Sequence, residues 1–397
     1  MSETLKVDVA IVGAGLVGLA AAVALHQAGF SVVLVDSRNP ADADLLDEAW
    51  DARIYAISPK NAQWLSSLGV WPLLAPSRIG QMQSMEIYGD ADNLKSITLS
   101  SSDVNADSLG YIVESKALAH ALLRQIEAMA IPTRFNCPCE SVCNTSDQSV
   151  LKIAQGGKVE STLLLAADGN HSWVRQQLNM PMQQKSYEQT AIVANFKVEK
   201  PHENVARQWF LQSEYGQSIL AWLPLPNNTI SIVWSMSTKD AEAMLTLSDE
   251  EFTNNVVTAG NALLGKLELL TPAEKFTLNL QKTDTLTQDS VVLVGDAAHQ
   301  VHPMAGQGVN LGFRGVLDLV NILKSKNQYQ SLNDPNLLKQ YSRVRKADIL
   351  NMVLLTDSLY HLFKSQSVII KTMRNWGMSA VNHEVIKKIL VSNAISL

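Results

Sequence analysis

Two stretches of this 397-residue chain combine residue types and spacings that could do chemistry. The first runs from Val7 to Ala22. It reads as an apolar strand, then Gly13-x-Gly15-x-x-Gly18, then the Ala-rich start of a helix. A second apolar run, VVLV, closes on Asp36. This is the pattern of a βαβ unit that holds the ADP half of a dinucleotide. Gly13 allows the tight turn, Gly15 (after Ala14) lets backbone approach a pyrophosphate, and Gly18 lets the helix pack close to the sheet. The helix N-terminus offers unpaired N–H groups to the anion, and Asp36 is spaced to accept from ribose hydroxyls. A bare GxGxxG is a weak signal. Here the strand before it, the helix after it and the acid all agree, against the alternative of a structural glycine turn.

The second stretch is Gly295-Asp296-Ala297-Ala298-His299, followed by Pro303 and Gly306-Gln307-Gly308-Val309-Asn310. Asp296 at a strand end can accept from a ribityl hydroxyl. The Gly306/Gly308 loop opens a helix whose N–H groups suit an anionic pyrimidine edge. So many small residues cost stability, and they make sense where backbone must touch a ligand. Between the two lies Ala167-Asp168-Gly169, continuing through Ser172 to Val174-Arg175. A buried strand ending in Asp-Gly can set a carboxylate at a cofactor's edge; the alternative is Asp168 as an ordinary helix cap. His299 and His302 are candidates for acid or base, although a lone His in a packed loop is more often structural. The sequence shows no nucleophile triad and no metal site. Cys137, Cys139 and Cys143 lack a fourth ligand and the C-x-x-C spacing, so they read as reduced thiols on or near a strand.

The elements that position these residues change character along the chain. Residues 5–36 are the βαβ start, and 51–71 open with charge and then read as a helix. Residues 82–89 and 95–100 alternate like strands of an antiparallel sheet. Ser115 is expected to cap an amphipathic helix with Leu118, Leu122, Ile126 and Met129 as its stripe and Arg124 on another face. TLLLAADG is a buried parallel strand ending in a tight turn. Segments 190–198, 207–213, 218–224 and 229–236 are β-rich and antiparallel in style. DSVVLVGDAAH returns to the buried parallel style, and the chain reads as helical from about 337 onward. A dinucleotide domain built from three separated pieces, with a β-sheet domain inserted between them, accounts for this order.

Composition sets bounds. Hydrophobic residues make up 46% and charged residues 18%, enough for large cores. The net charge is −6 with no long basic run, which argues against nucleic acid as a partner. The start MSETLKVDVA runs straight into the first strand, so no signal peptide is expected. No stretch reaches the roughly 18 uninterrupted apolar residues of a membrane span. A cytoplasmic protein is the expectation, with peripheral contact at the inner membrane left open.

The three motifs, in this order, resemble the group A flavoprotein aromatic hydroxylases. Further stretches are similar to one branch, the ubiquinone-biosynthesis hydroxylases: Asp51-x-Arg53-x-x-Ala56-x-Ser58, Leu68-Gly69-x-Trp71, Gly110-Tyr111-Ile112-Val113-Glu114, and His302-Pro303-Met304-Ala305-Gly306-Gln307-Gly308-x-Asn310-Leu311-Gly312. Tyr341 with Arg345 and Asp348 also fits. The resemblance covers roughly 5–350. It implies an α/β fold: a Rossmann-like FAD-binding domain from 1–75, 101–180 and 280–345, an inserted antiparallel β-sheet substrate domain from 76–100 and 181–279, and a C-terminal helical region, 346–397. Gly13, Ala14, Gly15 and Gly18 would hold the FAD pyrophosphate and Asp36 the adenosine ribose. Arg53 and Arg124 would face the pyrophosphate and its surroundings, with a surface arginine as the alternative for Arg124. Asp168 would serve FAD and transient NAD(P)H contact, Asp296 would bind the ribityl chain, and Gly306, Gly308, Val309 and Asn310 would approach the isoalloxazine. Pro303 would shape the cavity beside the reactive flavin face. The family often carries an Asp where this chain has Gly315, and Asp36 replaces the more frequent Glu.

The implied reaction uses NAD(P)H to reduce the flavin and O2 to form a C4a-hydroperoxide, whose distal oxygen a phenolic ring attacks. The implied substrate is a polyprenylated ubiquinone precursor. Met82, Ile87, Trp209, Trp222, Leu223 and Pro224 are candidates for lining its cavity, with plain sheet core as the alternative. The tail 349–390 interleaves Leu354, Leu355, Leu359, Leu362, Ile369 and Ile370 with Lys364, Lys371, Arg374, Lys387 and Lys388. It reads either as a helix on an acidic lipid surface or in a multi-enzyme complex, or as a helix pair packed on the FAD domain. The oligomeric state stays open. Two competing functions are a flavin monooxygenase for a soluble aromatic, which would need a basic residue in the cavity, and a non-catalytic FAD-binding subunit, which would lack substrate-stimulated NAD(P)H oxidation.

Overall fold

The apolar run after Lys6 becomes the strand Thr4–Val12 at the heart of an eight-stranded sheet. The computed structural model describes residues 4–42, 49–89, 95–213, 216–300 and 307–364. In this sheet the strands run Thr287–Gln288, Val291–Leu293, Gly157–Ala166, Thr4–Val12, Val32–Val35 and Thr133–Arg134. The four neighbouring pairs from Val291–Leu293 onward are parallel. Covered strands need apolar residues on both faces, and Val9, Ala10, Ile11, Leu163, Leu164 and Leu165 are all fully buried. The Ala-rich helix Leu16–Gln27 is buried from Gly18 to Leu25. Small side chains all round let it lie between the sheet and the helices Ser115–Ala128 and Gln307–Lys324.

Cys139 and Cys143 sit on the strand Cys139–Asn144 and Cys137 is buried just before it. All three are free thiols, and burial, then Asp168, push Cys139 up to about 12.

A short sheet of Ile54–Ile57, Gly110–Glu114 and Ile79–Met82 lies beside the first. The strand Ile54–Ile57 was not foreseen; the helix after it is only Pro59–Ser67, capped by Ser58. The helix Ser115–Ala128 also differs at its start. Ser115 is its first residue, not its cap, and the Lys116 N–H instead donates to the Asp51 carboxylate at 2.9 Å, a cap supplied from 65 residues away.

The inserted sheet has nine strands, with Gln183–Val198, Thr229–Ser237, Gly216–Leu225 and Val205–Ser213 as its antiparallel centre. One pairing is parallel: Val205–Ser213 with Ser84–Tyr88, where an earlier piece of chain joins the edge. The helices Thr238–Met244 and Asp249–Ala259 cover one face, Phe252 of the second joining Phe196, Trp222 and Ile232 of the sheet in one core. The other face meets the cofactor pieces, where Ile219 and Val233 pack against the main core. After 335 the chain forms one long helix, Pro335–Lys364. Among the described residues no helix is long and apolar enough to cross a membrane.

Candidate functional site

The glycines divide into two kinds. Gly13 has φ +106°, and a Cβ there would overlap the Ala167 carbonyl oxygen. A Cβ on Gly18 would overlap the Gly13 carbonyl oxygen. These two are demanded by the fold itself. Gly15 and Gly308 are not: both lie outside the left-handed region, and a Cβ on either would meet nothing within 4 Å. Among the described residues, neither backbone conformation nor a protein neighbour requires them to be glycine. The remaining reason is space kept for a ligand against the main chain.

The two open glycines belong to one site because the helix Leu16–Gln27 joins them. Val17, in its first turn, sits against Gly295 and Gly312, where Cβ atoms would lie 3.2 and 2.6 Å from its side chain. The floor of the site is therefore Gly15, the 295–297 turn and the start of Gln307–Lys324. Asp36 secures the glycine loop: its carboxylate accepts from the Ala14 N–H at 2.6 Å and the Arg38 N–H at 2.9 Å. It stays half-exposed on the remaining side.

Asp296 is exposed to solvent at its side chain, yet protein crowds it on most sides. The two facts agree if it lines a deep cleft. Desolvation pushes its carboxyl above the usual range, and the Arg53 guanidinium opposes that. Arg53 is exposed and lies 5.7 Å from the Tyr55 ring centre. Tyr55 shares the cleft with Arg53, Asp296 and Ser115, and burial raises its phenol. Sequence reasoning passed over Tyr55, because the strand Ile54–Ile57 that carries it was read as the approach to a helix.

The segment carrying Arg53 is tied down at its base. Glu114, 1% exposed, accepts two bonds from Arg78 at 2.7 Å each and one from the Asp51 N–H at 2.7 Å. The Asn195 amide of the inserted sheet donates to the Asp51 carbonyl at 2.8 Å. Arg124, by contrast, is exposed on its helix and has no hydrogen bond or ion pair among the described residues.

Ser172 caps the short helix Trp173–Gln177, and Asp168 assists by accepting from the Val174 N–H at 3.0 Å, while its second oxygen is buried with no partner among the described residues. Burial raises its carboxyl. The cap reading and the cofactor reading thus use different oxygens of one carboxylate. Arg175, which the sequence places in this motif without a role, bridges the two turns by donating to the Ala297 carbonyl at 2.8 Å and the Asn170 carbonyl at 2.7 Å.

Asn310 is 0% exposed, and its side chain faces away from the cleft. Its oxygen accepts from the Ser58 N–H at 3.0 Å and the Asn61 amide at 2.8 Å, and its amide donates to the Ala56 carbonyl at 2.7 Å. Only its backbone is left to meet a ligand, together with Gly308 and Val309. Gly306, His302 and Pro303 lie outside the described residues.

His299 is 3% exposed, with neither ring nitrogen partnered among the described residues. Burial, then the Arg345 cation, pull it down to about 3, so it is neutral at working pH and unsuited to donate a proton. The unfolded chain takes the proton first, at its ordinary 6.5. Stability is therefore complete above about pH 6.5 and falls as pH drops toward 3. At pH 5 this side chain should cost about 2 kcal/mol. His299→Leu should flatten the difference between urea melts at pH 5 and 7; an unchanged difference would refute the assignment.

Trp209 and Trp222 are 0% and 1% exposed and pack beneath the helices, on the face away from the cofactor pieces. They are sheet core and not cavity lining. On the opposite face Ile219, Ala221 and Leu223 are half-buried, alternating with fully buried neighbours. The Pro224 carbonyl abuts Gly80, and Met82 lies near Gly110.

These groups fit FAD: a glycine cradle for pyrophosphate, an open-sided acid for ribose, and a desolvated acid facing a guanidinium along the cleft. Comparison with known proteins agrees. Residues 6–354 match the family described as FAD binding domain. The chain is 31% identical to the ubiquinone hydroxylase UbiL of Rhodospirillum rubrum over 94% of this chain and 86% of that one. It is 29% identical to the 3-demethoxyubiquinol 3-hydroxylase of Escherichia coli, covering 98% of both. Human ubiquinone biosynthesis monooxygenase COQ6 is also 29% identical, over 94% of this chain and 89% of that one. Among solved structures, p-nitrophenol 4-monooxygenase PnpA from Pseudomonas putida shares the fold with TM-score 0.78 at 16% identity, covering 99% of this chain and 98% of that one. The cleft, its glycines and these relatives together assign the chain to the FAD-dependent aromatic monooxygenases of group A, in the ubiquinone-biosynthesis hydroxylase family.

Proposed function

We propose that this monooxygenase hydroxylates the aromatic ring of a polyprenylated phenolic precursor of ubiquinone, with NAD(P)H as transient reductant and O2 as co-substrate. The observation that carries this reading is the wall of the cleft formed by the inserted sheet. Ala191, Val193, Ile219, Ala221, Leu223 and Val233 share the face toward the cofactor pieces with the uncharged Asn195, Ser231 and Ser235. None of these nine residues carries a positive charge to anchor a carboxylate, and a largely apolar face suits a ring with a hydrocarbon tail. FAD, when bound, supplies the redox and oxygen-transfer chemistry. The chain's part is to hold it along Gly15, Asp36, Arg53, Asp296 and Gly308, to keep water from the reacting ring, and to fix the ring's position against the sheet.

We extend the proposal to location: a cytoplasmic protein working at the inner-membrane surface, or within a biosynthetic complex, through residues 346–397. Leu350 and Leu354 are 50% and 55% exposed on the long helix that leads into this basic, apolar tail. Such a surface suits lipid or a partner.

The test is NAD(P)H oxidation by the flavin-loaded protein with and without a 2-polyprenylphenol, followed by mass analysis. Acceleration by the phenol and a product heavier by one oxygen atom are expected. Bound flavin with stimulation only by a soluble hydroxybenzoate would overturn the substrate, and bound flavin with no stimulation by any phenol would overturn the activity.

A further inference from the structure

Arg345 is the most enclosed cation among the described ion pairs, with its side chain 2% exposed. It lies in a notch of the neighbouring helix: a Cβ on Gly315 would stand 3.4 Å from its Nε. Gly315 lies outside the left-handed region, so its backbone does not require glycine. Seated there, Arg345 donates to the Leu311 carbonyl at 3.1 Å. One turn earlier on the same helix, the Tyr341 hydroxyl donates to the Leu293 carbonyl at 3.2 Å. Leu311 follows Asn310, and Leu293 precedes the Gly295-Asp296 turn. Two adjacent side chains thus grip the main chain beside both cofactor-facing turns.

The guanidinium is balanced by Asp318 at 2.8 Å and Asp348 at 2.6 Å. Asp348 is not Arg345's alone, because Arg314 takes both its oxygens at 3.1 Å. Asp318, 32% exposed, serves Arg345 alone among the described ion pairs. Without it, the nearly enclosed Arg345 guanidinium would keep only the carboxylate that it shares with Arg314, and a buried cation with a weakened counter-charge is penalised. Arg345 would then turn toward water and release Leu311.

We propose that Asp318 is a positioning residue: acting through Arg345, it fixes the first turn of Gln307–Lys324 where Gly308, Val309 and Asn310 meet the flavin ring. This chain has Gly315 where the family often carries an Asp, and a carboxylate reaches Arg345 from 318, one helical turn along. The inference rests on the reading of that turn as a flavin contact.

The experiment titrates FAD and, separately, ADP into the apo protein and into two variants. ADP reports the glycine cradle at Gly15, far along the ligand from the 307–311 turn. Asp318→Asn should weaken FAD about tenfold and leave ADP unchanged. Adding Gly315→Asp to Asp318→Asn should bring FAD back to within about twofold of the parent by returning a carboxylate to Arg345. Unaltered FAD binding in Asp318→Asn, an equal loss of FAD and ADP, or a soluble double variant with no recovery would each overturn the proposal. If Asp318→Asn is insoluble, the double variant decides: soluble and FAD-binding supports it, insoluble overturns it. A parent protein that binds neither ligand would instead overturn the FAD reading itself.

Discussion

Gly15→Val is expected to weaken FAD binding by about a hundredfold or more while leaving the fold of the apo protein intact. Gly15 has φ −72° and ψ 174°, extended backbone that valine adopts readily. Its Cβ would point into space that holds no protein atom within 4 Å. The cost to the apo protein is confined to a poorer helix cap, about 1 kcal/mol. The ligand, by contrast, loses its approach to the first-turn N–H groups. Gly18→Ala should behave in the opposite way, because its Cβ would overlap the Gly13 carbonyl oxygen and the helix would have to leave the sheet. Thermal melts of the apo variants, with flavin-fluorescence titrations alongside, separate the two. Parent-like FAD affinity in Gly15→Val would mean that the open space is not ligand space.

Asn310→Ala is expected to be the most destabilising change outside the glycines, at about 3–5 kcal/mol. It strips partners from the Ser58 N–H, the Asn61 amide and the Ala56 carbonyl. Asn310, Ser58 and Asn61 are each no more than 5% exposed, so water cannot replace what is lost. The same bonds hold the segment that carries Arg53 and Tyr55, so FAD affinity should fall with stability. Arg124→Ala is the contrasting case. An exposed side chain with no described partner should change stability by less than about 0.5 kcal/mol. Urea melts decide both, and a loss under about 1 kcal/mol for Asn310→Ala would contradict the hydrogen-bond account.

Much of this was legible in the sequence because glycine spacing reports backbone geometry. The turn at Gly13, the close helix at Gly18 and the discontinuous cofactor domain follow from patterns that only a few local structures satisfy. Side-chain direction was not legible. Asn310 stands in a motif that the sequence reads as facing a flavin, but its side chain is turned to Ser58, Asn61 and Ala56, which no spacing in the motif reveals. The strand Gly216–Leu225 is apolar at both parities, so alternation could not tell that Leu223 faces the cleft and Trp222 the helices. Ionic partners were hidden too: Asp51 caps a helix 65 residues away, and Glu114 holds Arg78 from 36 residues away. Such pairings depend on how the sheets come together, which no local pattern encodes. The helix Asp249–Ala259 did carry a local signal, the capping box Ser248 with Glu251.

The bonds between Ser58 and Asn310 also set a timetable. The two residues are 252 apart, and Val17 waits still longer for its seat at Gly295 and Gly312. At about 5–20 residues per second a ribosome needs roughly 13–50 seconds to cross that interval. Throughout it the dinucleotide loop exists without its floor, its turn held by the Val35 carbonyl on the Gly13 N–H and the Asp36 carboxylate on the Ala14 N–H. A nascent or truncated chain ending before Gly295 is thus a nucleotide cradle open on one side. The floor is complete only when a single late segment arrives, and its Asn310 then fixes the segment that carries Arg53.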